Sequence, residues 1–500
     1  MNLYKHQSEG VHFLLRDCRS SMLCDEMGLG KSRQALVAAQ YLRNGEKIDR
    51  VLVLCPAAVR YSWQTELEKV RSDGFCFDLG EYDAKSLKVH GSHTDGLPIV
   101  LLSYGLLPQQ RHTEALRDWC AAGKTLLVCD ESSFLKNRTA KTSKAANTIG
   151  KKCAYRWLLT GTPIANSPLD LWSQGLVMSN GNGPLRGFKN WYQFRARYGV
   201  LQTMHIGRKS FQQCVGYQNV EELTKKFAPY VLRREKKDCL DLPEKTYEVR
   251  EIALTVETWK IYCELKKEAL LCLPDSEERP EPNAAVRLLR LCQLTSGHVG
   301  GGPITDQCQD ALELASEDFI EVQATKDISS EKLSWLAEQI LDGELASERA
   351  LIVWCRWRRE RERLYKLLQK QTKGGYLLVQ IYGGQSQKDR ESALGLFSTT
   401  TQDTSKCIML AQPHAGGFGL NLTVASTAVY LSNDFSYTTR IQSEDRCHRI
   451  GQTNPVTYLD VLATGPAGQR TVDHAVLEAL REKRSLADYT CAQWKRVLKC

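Results

Sequence analysis

The chain has 500 residues, 42% of them hydrophobic and 25% charged. That length exceeds one comfortable hydrophobic core and calls for two or three domains, while the composition excludes wholesale disorder. The net charge of +9, from 67 Lys and Arg against 58 Asp and Glu, is mildly basic: it allows a polyanionic partner without requiring one. No two of the 18 cysteines have the close spacing of a zinc site. Met1 to Lys5 opens without an apolar signal core, so a reducing compartment is expected, with most cysteines, such as Cys129 and Cys355, acting as small buried hydrophobes. No stretch reaches the roughly 18 apolar residues of a membrane span.

In chain order, the first half alternates short apolar runs with helical or polar segments. The runs are Val51 to Cys55, Ile99 to Leu102, Thr125 to Cys129 and Trp157 to Leu159. Runs this apolar suit parallel strands covered on both faces, which predicts an α/β doubly wound domain. The pattern returns with Leu351 to Trp354, Leu377 to Ile381, Cys407 to Leu410 and Ala428 to Leu431. Two α/β lobes are therefore predicted, with a polar, helical region at about 166–330 between them. The Pro and Glu clusters from Pro274 to Pro282 read as an exposed loop. The expected division is 1–165, first lobe; 166–245, helical insertion and junction; 246–335, helical insertion of the second lobe; and 336–500, second lobe. A cleft between two such lobes is a natural ligand site.

Chemistry enters at Cys24-Asp25-Glu26-Met27-Gly28-Leu29-Gly30-Lys31-Ser32, which precedes a helical stretch, Arg33 to Gln40. Gly28 and Gly30 let backbone amides turn inward around a phosphate, Lys31 neutralises β/γ charge, and the Ser32 hydroxyl can ligate magnesium at a helix N-terminus. The strict phosphate-loop pattern has Gly where Asp25 stands, and a capped turn is the other reading of these residues alone. Asp130-Glu131, at the carboxyl end of the run 125–129, favours the phosphate reading. That edge of a parallel sheet is where ligands bind. Asp130 suits a magnesium ligand and Glu131 the group that orients and deprotonates a water.

Further on, Gln442-Ser443-Glu444-Asp445-Arg446-Cys447-His448-Arg449-Ile450-Gly451-Gln452 is predicted helical up to Gly451. Gln442, Arg446 and Arg449 then share one face, from which two guanidinium groups can meet developing charge on a γ-phosphate. A surface helix with Glu–Arg pairing fits the same residues. The glycine-rich turn Ala415 to Leu422 just upstream favours the functional reading.

Taken in order, these pieces resemble the SWI/SNF branch of helicase superfamily 2. The carriers are Leu3-Tyr4-Lys5-His6-Gln7, the loop Asp25 to Ser32, Cys55-Pro56 with Trp63 and Glu66, and Leu102-Ser103-Tyr104. Asp130-Glu131, Lys136-Asn137, Thr160-Gly161-Thr162-Pro163-Ile164-Ala165-Asn166 and Leu232-Arg233-Arg234 follow. Gly416-Gly417-Phe418-Gly419-Leu420-Asn421-Leu422 and Gln442 to Gln452 complete the set. The resemblance spans residue 3 to about 460. It implies two RecA-like parallel-sheet lobes with helical insertions, an ATPase that uses ATP and Mg2+, adenine reading by Gln7, and nucleotide contacts from Gly419 and Gln442. It also implies a motor that moves along double-stranded DNA, remodelling or displacing bound proteins or rewinding strands. The chain departs from the family at Ser132-Ser133, where Ala or Gly followed by His is usual. That His links the hydrolysis site to the Thr160-Gly161-Thr162 loop. A second departure is Gln412-Pro413-His414-Ala415, where Ser-Thr-Arg-Ala is usual. The trim size resembles compact bacterial or phage-encoded members, which implies a cytoplasmic setting, or a nuclear one in a eukaryote, and a monomer open to a recruiting protein.

A duplex tracker holds phosphates largely without reading bases. The candidate contacts are Arg60, Ser103, Tyr104 and Lys136 in the first lobe and Arg356 in the second. Arg361 and Arg363 read instead as a solvated helix face with Arg–Glu pairs, and Arg233-Arg234 sits at the lobe junction. The rival functions are a strand-separating DNA or RNA helicase or a restriction-system motor, and a nucleotide-gated DNA-binding module with little turnover. No strand-splitting hairpin or fused nuclease is visible in the sequence.

Overall fold

The computed structural model describes residues 3–16, 19–90, 96–164, 167–179, 182–206, 209–271, 282–300, 326–371, 375–400, 406–416 and 420–482. The chain divides into two compact units, Met1–Asp241 and Leu242–Cys500.

In the first unit, β1 (Ser20–Leu23), β2 (Arg50–Cys55), β3 (Phe77–Asp83), β4 (Lys88–His90), β5 (Leu97–Ser103), β6 (Thr125–Asp130) and β7 (Tyr155–Leu159) are joined by β10 (Val231–Leu232). The sheet order is β10-β1-β7-β6-β2-β5-β3-β4, parallel throughout except for the β3–β4 pair. The four apolar runs are strands because helices cover them: β6 is buried at every position and β2 at all but Arg50. Leu52, Leu54, Leu127, Cys129 and Leu158 pack with Ile149 and Trp172 from the helices Lys141–Gly150 and Leu171–Ser179. Each such apolar side chain contributes about 1.5–3 kcal/mol on burial. The register places Leu23 and Asp130 both opposite Leu159. The turn after β1 and the end of β6 thus lie on one sheet edge, two strand spacings or about 10 Å apart.

Between β7 and β10 the expected helical region is only partly helical. Helices Leu171–Ser179, Trp191–Tyr198 and Val220–Phe227 are present, but β8 (Gly199–Ile206) and β9 (Lys209–Tyr217) form an antiparallel hairpin that, among the described residues, pairs with no other strand. Val200, Val215 and Tyr217 are exposed while Cys214 packs against the first unit's core, so no continuous apolar run marks these strands. The helical expectation for this region did not include this hairpin.

In the second unit, β14 (Ala350–Trp354), β15 (Tyr376–Ile381), β16 (Lys406–Ala411) and β17 (Thr427–Tyr430) correspond to the four predicted runs. They join β11 (Lys245–Ala253) and β18 (Val456–Thr464) in the order β11-β18-β17-β14-β16-β15, all parallel. Alternate residues serve opposite faces. Ile352 and Trp354 pack with Met409, Tyr430 and Tyr458, whereas Leu351 and Val353 pack with Leu336 and Leu364 from the helices Glu331–Leu341 and Arg358–Gln371. Strand β11 falls where a helical insertion is predicted. It is an edge strand with several exposed side chains, Tyr247 among them, so it lacks the apolar run that betrays central strands. A small pair, β12 (His298–Val299) with β13 (Lys326–Asp327), follows the helices Val256–Leu271 and Pro282–Thr295. The loop predicted at Pro274 to Pro282 lies outside the described residues except for Pro282, which opens a helix. Among the described residues no helix is long and apolar enough to cross a membrane. The fold is α/β, built on two parallel sheets.

Candidate active site

The segment after β1 turns sharply into the helix Lys31–Asn44, longer than the predicted 33–40. Gly28 and Gly30 hold φ of 89° and 79°, a left-handed backbone that favours glycine. At Gly30 space matters as well: a Cβ there would lie 2.4 Å from Nε2 of Gln7. Gln7 is buried, its Oε1 accepting from Tyr4 N at 3.2 Å and its Nε2 donating to Leu29 O at 3.4 Å. The neighbouring His6 ring lies 3.1 Å from the same carbonyl, and burial lowers its pKa. Lys31 is buried too, and its Nζ donates to the Asp25 carbonyl at 2.8 Å. Two left-handed glycines, a buried lysine and a helix N-terminus with Ser32 in its first turn make a cradle suited to a nucleotide's phosphates.

Asp130 ends β6, with Oδ2 accepting from the Trp63 indole at 2.7 Å and Oδ1 accepting from the Glu131 amide at 3.0 Å. Glu131 takes a left-handed conformation, φ 48° and ψ 55°, unusual for a residue with a side chain. Such strain, of order 1–3 kcal/mol, gathers at functional sites. A hard cation such as magnesium fits a donor set of Ser32 hydroxyl and Asp130 carboxylate.

The tie from these carboxylates to the Thr160–Pro163 loop runs through Ser132, and through a residue the sequence analysis passed over. Ser132 Oγ donates to Gln174 Oε1 at 2.8 Å, and Gln174 Nε2 donates to Pro163 O at 2.8 Å. Ser132 and Gln174 are both fully buried. Thr160 Oγ1 closes the loop by accepting from Thr162 N at 3.1 Å. Asn166, at the loop's end, lies outside the described residues.

Three of the predicted DNA contacts keep accessible positions. Arg60 is exposed at the start of the helix Arg60–Ser72, Lys136 is half-buried, and Ser103 caps the turn after β5 by accepting from Gly105 N at 3.3 Å. Tyr104 is corrected: it is 4% exposed, and its hydroxyl donates to Asp130 O at 2.8 Å, so it supports the site from beneath. Arg356 is also corrected. It is 3% exposed, with its guanidinium 4.5 Å from the Trp357 ring and 4.0 Å from the Phe435 ring. The solvated face predicted for Arg361 and Arg363 is corrected as well. Arg361 is buried over Tyr382, and Arg363 donates to the carbonyls of Gly297 and Ser329.

In the second unit the helix predicted to run to Gly451 is Tyr437–Glu444. Only Gln442 lies in it. The chain then leaves helical geometry because Gln452 Nε2 bonds the carbonyls of Thr423, Ala425 and Cys447, drawing 446–452 onto the segment 420–425. Arg446 Nε donates to Gln442 O at 2.9 Å, and Arg449 Nη1 donates to Leu420 O at 3.0 Å. The shared helical face of Gln442, Arg446 and Arg449 is therefore replaced by a packed turn that holds both arginines. Gly419 lies outside the described residues, as do Gly417 and Phe418. Beneath the turn, Arg440 is held by Glu444 at 2.8 Å and Asp460 at 2.5 Å, 3.5 Å over the Tyr430 ring. The i, i+4 spacing of Arg440 and Glu444 was the available signal for that buried pair.

The SNF2-related domain matches residues 6–294 and the helicase conserved C-terminal domain residues 331–451. TATA-binding protein-associated factor 172 of Homo sapiens is 25% identical, over 98% of this chain and 28% of its own length. The uncharacterized ATP-dependent helicase MG018 of Mycoplasma genitalium is 26% identical, over 98% of this chain and 42% of its own. The chain thus spans less than half the length of these relatives. The Sulfolobus solfataricus SWI2/SNF2 ATPase core in complex with dsDNA is 23% identical, covering 100% of this chain and 95% of that one with a TM-score of 0.41. Because the SNF2-related domain covers more than half of its residues, with the helicase conserved C-terminal domain following, the chain belongs to the SNF2-related family of helicase-type ATPases.

Proposed function

We propose that this chain hydrolyses ATP with Mg2+ to move along double-stranded DNA, remodelling or displacing bound proteins or rewinding strands. The observation that carries the reading is the shared sheet edge. The glycine-turned loop with Lys31 and the Trp63-held Asp130 stand two strands apart, the span a nucleotide's phosphates and their metal need. In this reading the loop amides and Lys31 hold the β- and γ-phosphates, Gln7 reads adenine, and Ser32 and Asp130 hold Mg2+. The metal, when bound, neutralises phosphate charge. Glu131 orients the attacking water and takes its proton. Arg446 and Arg449, with Gln442 and Gly419, supply the second unit's share of the nucleotide contacts. Arg60, Ser103 and Lys136 are the phosphate-backbone contacts that remain once Tyr104 and Arg356 are set aside. The motor acts as a monomer brought to its site by a recruiting protein, in the cytoplasm or, in a eukaryote, the nucleus.

The second reading is a strand-separating helicase, which would need a strand-splitting hairpin; β8–β9 is an antiparallel hairpin tied to the helix Trp191–Tyr198 by Arg195 Nη2 donating to Gln212 O. A single panel decides: ATPase rate with no nucleic acid, duplex DNA, single-stranded DNA and RNA, with Lys31→Ala and Glu131→Gln as controls. Duplex stimulation that is lost in both variants supports translocation. Equal or stronger single-strand stimulation moves the assignment to strand separation, and tight binding without turnover overturns the motor altogether.

A further inference from the structure

Asp25 stands where a phosphate loop ordinarily has glycine, and its carboxylate is fully buried. A buried carboxylate is costly unless it is paired and hydrogen-bonded. The partner comes from 209 residues away. Arg234 grips it bidentately, Nε to Oδ1 at 2.9 Å and Nη2 to Oδ2 at 2.5 Å. The same guanidinium reaches Gln34 Oε1 at 3.1 Å on the helix Lys31–Asn44, and the His6 carbonyl and Glu9 on the helix Lys5–Leu14. Gln34 in turn donates to Asp25 Oδ2 at 3.2 Å and to Leu29 O at 3.1 Å. Gly10 makes room for the cluster, since a Cβ there would lie 1.7 Å from Gln34 Oε1 and 2.9 Å from Arg234 Nη2.

The backbone repeats the connection. Cys24 N donates to Leu232 O at 2.6 Å, Glu26 N to Arg234 O at 2.9 Å, and Lys236 N to Glu26 Oε2 at 2.7 Å. Residues 231–236 are thus laid along the loop from its first residue to its third. The carbonyl of Asp25 also receives Lys31 Nζ, so the residue Arg234 grips is the one that holds the phosphate-binding lysine. Five residues past Lys236 the first unit ends.

We infer that Arg234 is a positioning residue for the nucleotide's phosphates: through Asp25 it sets the shape of the loop and the seat of Lys31, and it ties that shape to the segment 235–241 leading out of the first unit. A glycine turn would leave the loop's shape to the nucleotide alone. An Asp–Arg clasp makes it depend on whether β10 is seated. This inference rests on the phosphate-loop reading above.

The test uses the full chain. Arg234→Lys keeps the charge but loses the planar fork, and Asp25→Asn keeps the size but loses the charge. Each is expected to raise KM for ATP roughly tenfold while kcat at saturating ATP stays within about threefold, and the double variant is expected to be little worse than either single one. Nucleotide should also slow tryptic cleavage after the exposed Lys237 in the wild type and fail to do so in Arg234→Gln. A fall in melting temperature with KM and the cleavage pattern unchanged means the clasp is structural only and overturns the inference. Nucleotide binding that depends on Lys31 but not on Arg234 overturns this inference alone. A wild-type chain that binds no nucleotide overturns the phosphate-loop reading with it.

Discussion

The indole Nε1 of Trp63 donates a 2.7 Å hydrogen bond to Oδ2 of Asp130, joining the helix after β2 to the end of β6. Trp63 is 1% exposed, and with Tyr104 beneath the Asp130 carbonyl it holds the carboxylate in one orientation. Trp63→Phe removes the donor and part of the packing, at about 1–3 kcal/mol for the unsatisfied carboxylate and a further increment for lost volume. A several-fold rise in the Mg2+ concentration that gives half-maximal ATPase is expected, alongside a lower melting temperature. An unchanged Mg2+ requirement would place the metal elsewhere.

Gln174 is the middle of the bridge from Ser132 to Pro163. Gln174→Leu nearly preserves volume but strands a buried hydroxyl and a carbonyl, a cost of about 1–3 kcal/mol each. Duplex-stimulated turnover should fall more than basal turnover, because the loop no longer moves with the carboxylate turn. Measuring both rates for Gln174→Leu and Ser132→Ala checks this, and equal losses in both rates would reduce the bridge to a stabilising contact.

Arg449 is anchored to the Leu420 carbonyl in a turn held by Gln452. Arg449→Ala is expected to leave ATP binding and nucleotide-free DNA binding nearly intact while stimulated hydrolysis falls by roughly 10³, as for a lost arginine finger. Lysine should rescue poorly, because a point charge does not span two phosphate oxygens. A simple loss of ATP affinity would make the arginine structural.

Glu360 is fully buried, accepts from Ser432 Oγ at 2.5 Å, and has its carboxyl pushed up to about 7 by burial, against the pull of Lys332. The folded state therefore binds this proton more tightly than the unfolded chain does. The stabilisation is complete below about pH 4.5 and is lost as pH rises through about 7, a change of roughly 3 kcal/mol at most. His298, lowered by burial to about 4, works in the opposite sense, since its contribution is lost as pH falls below 6.5. Melting temperatures of wild type and Glu360→Gln from pH 5 to 8 isolate the first effect: the difference between the two curves should change across that window. Parallel curves would show that Glu360 titrates normally.

Local pattern was enough for much of this protein. The central strands were legible because a parallel strand covered on both faces must be apolar along its length, as Val51 to Cys55 and Leu351 to Trp354 are. The candidate loop could be named from the sequence because a phosphate site needs glycines and a lysine next to one another in the chain, and Asp130-Glu131 because the carboxylates are adjacent. Strands that bury only part of their length left no such mark: β11 mixes half-buried and exposed positions, and the hairpin β8–β9 exposes Val200, Val215 and Tyr217. Long-range pairings left none either. That Asp25 is held by Arg234, Asp130 by Trp63 and Pro163 by Gln174 depends on chain distances of 209, 67 and 11 residues. Tyr104, Arg356 and Arg361 show the same limit from the other side. Their residue types suit a nucleic-acid surface, but whether a polar side chain meets solvent or is stacked or bonded beneath it is decided by what packs over it, which only the folded structure settles.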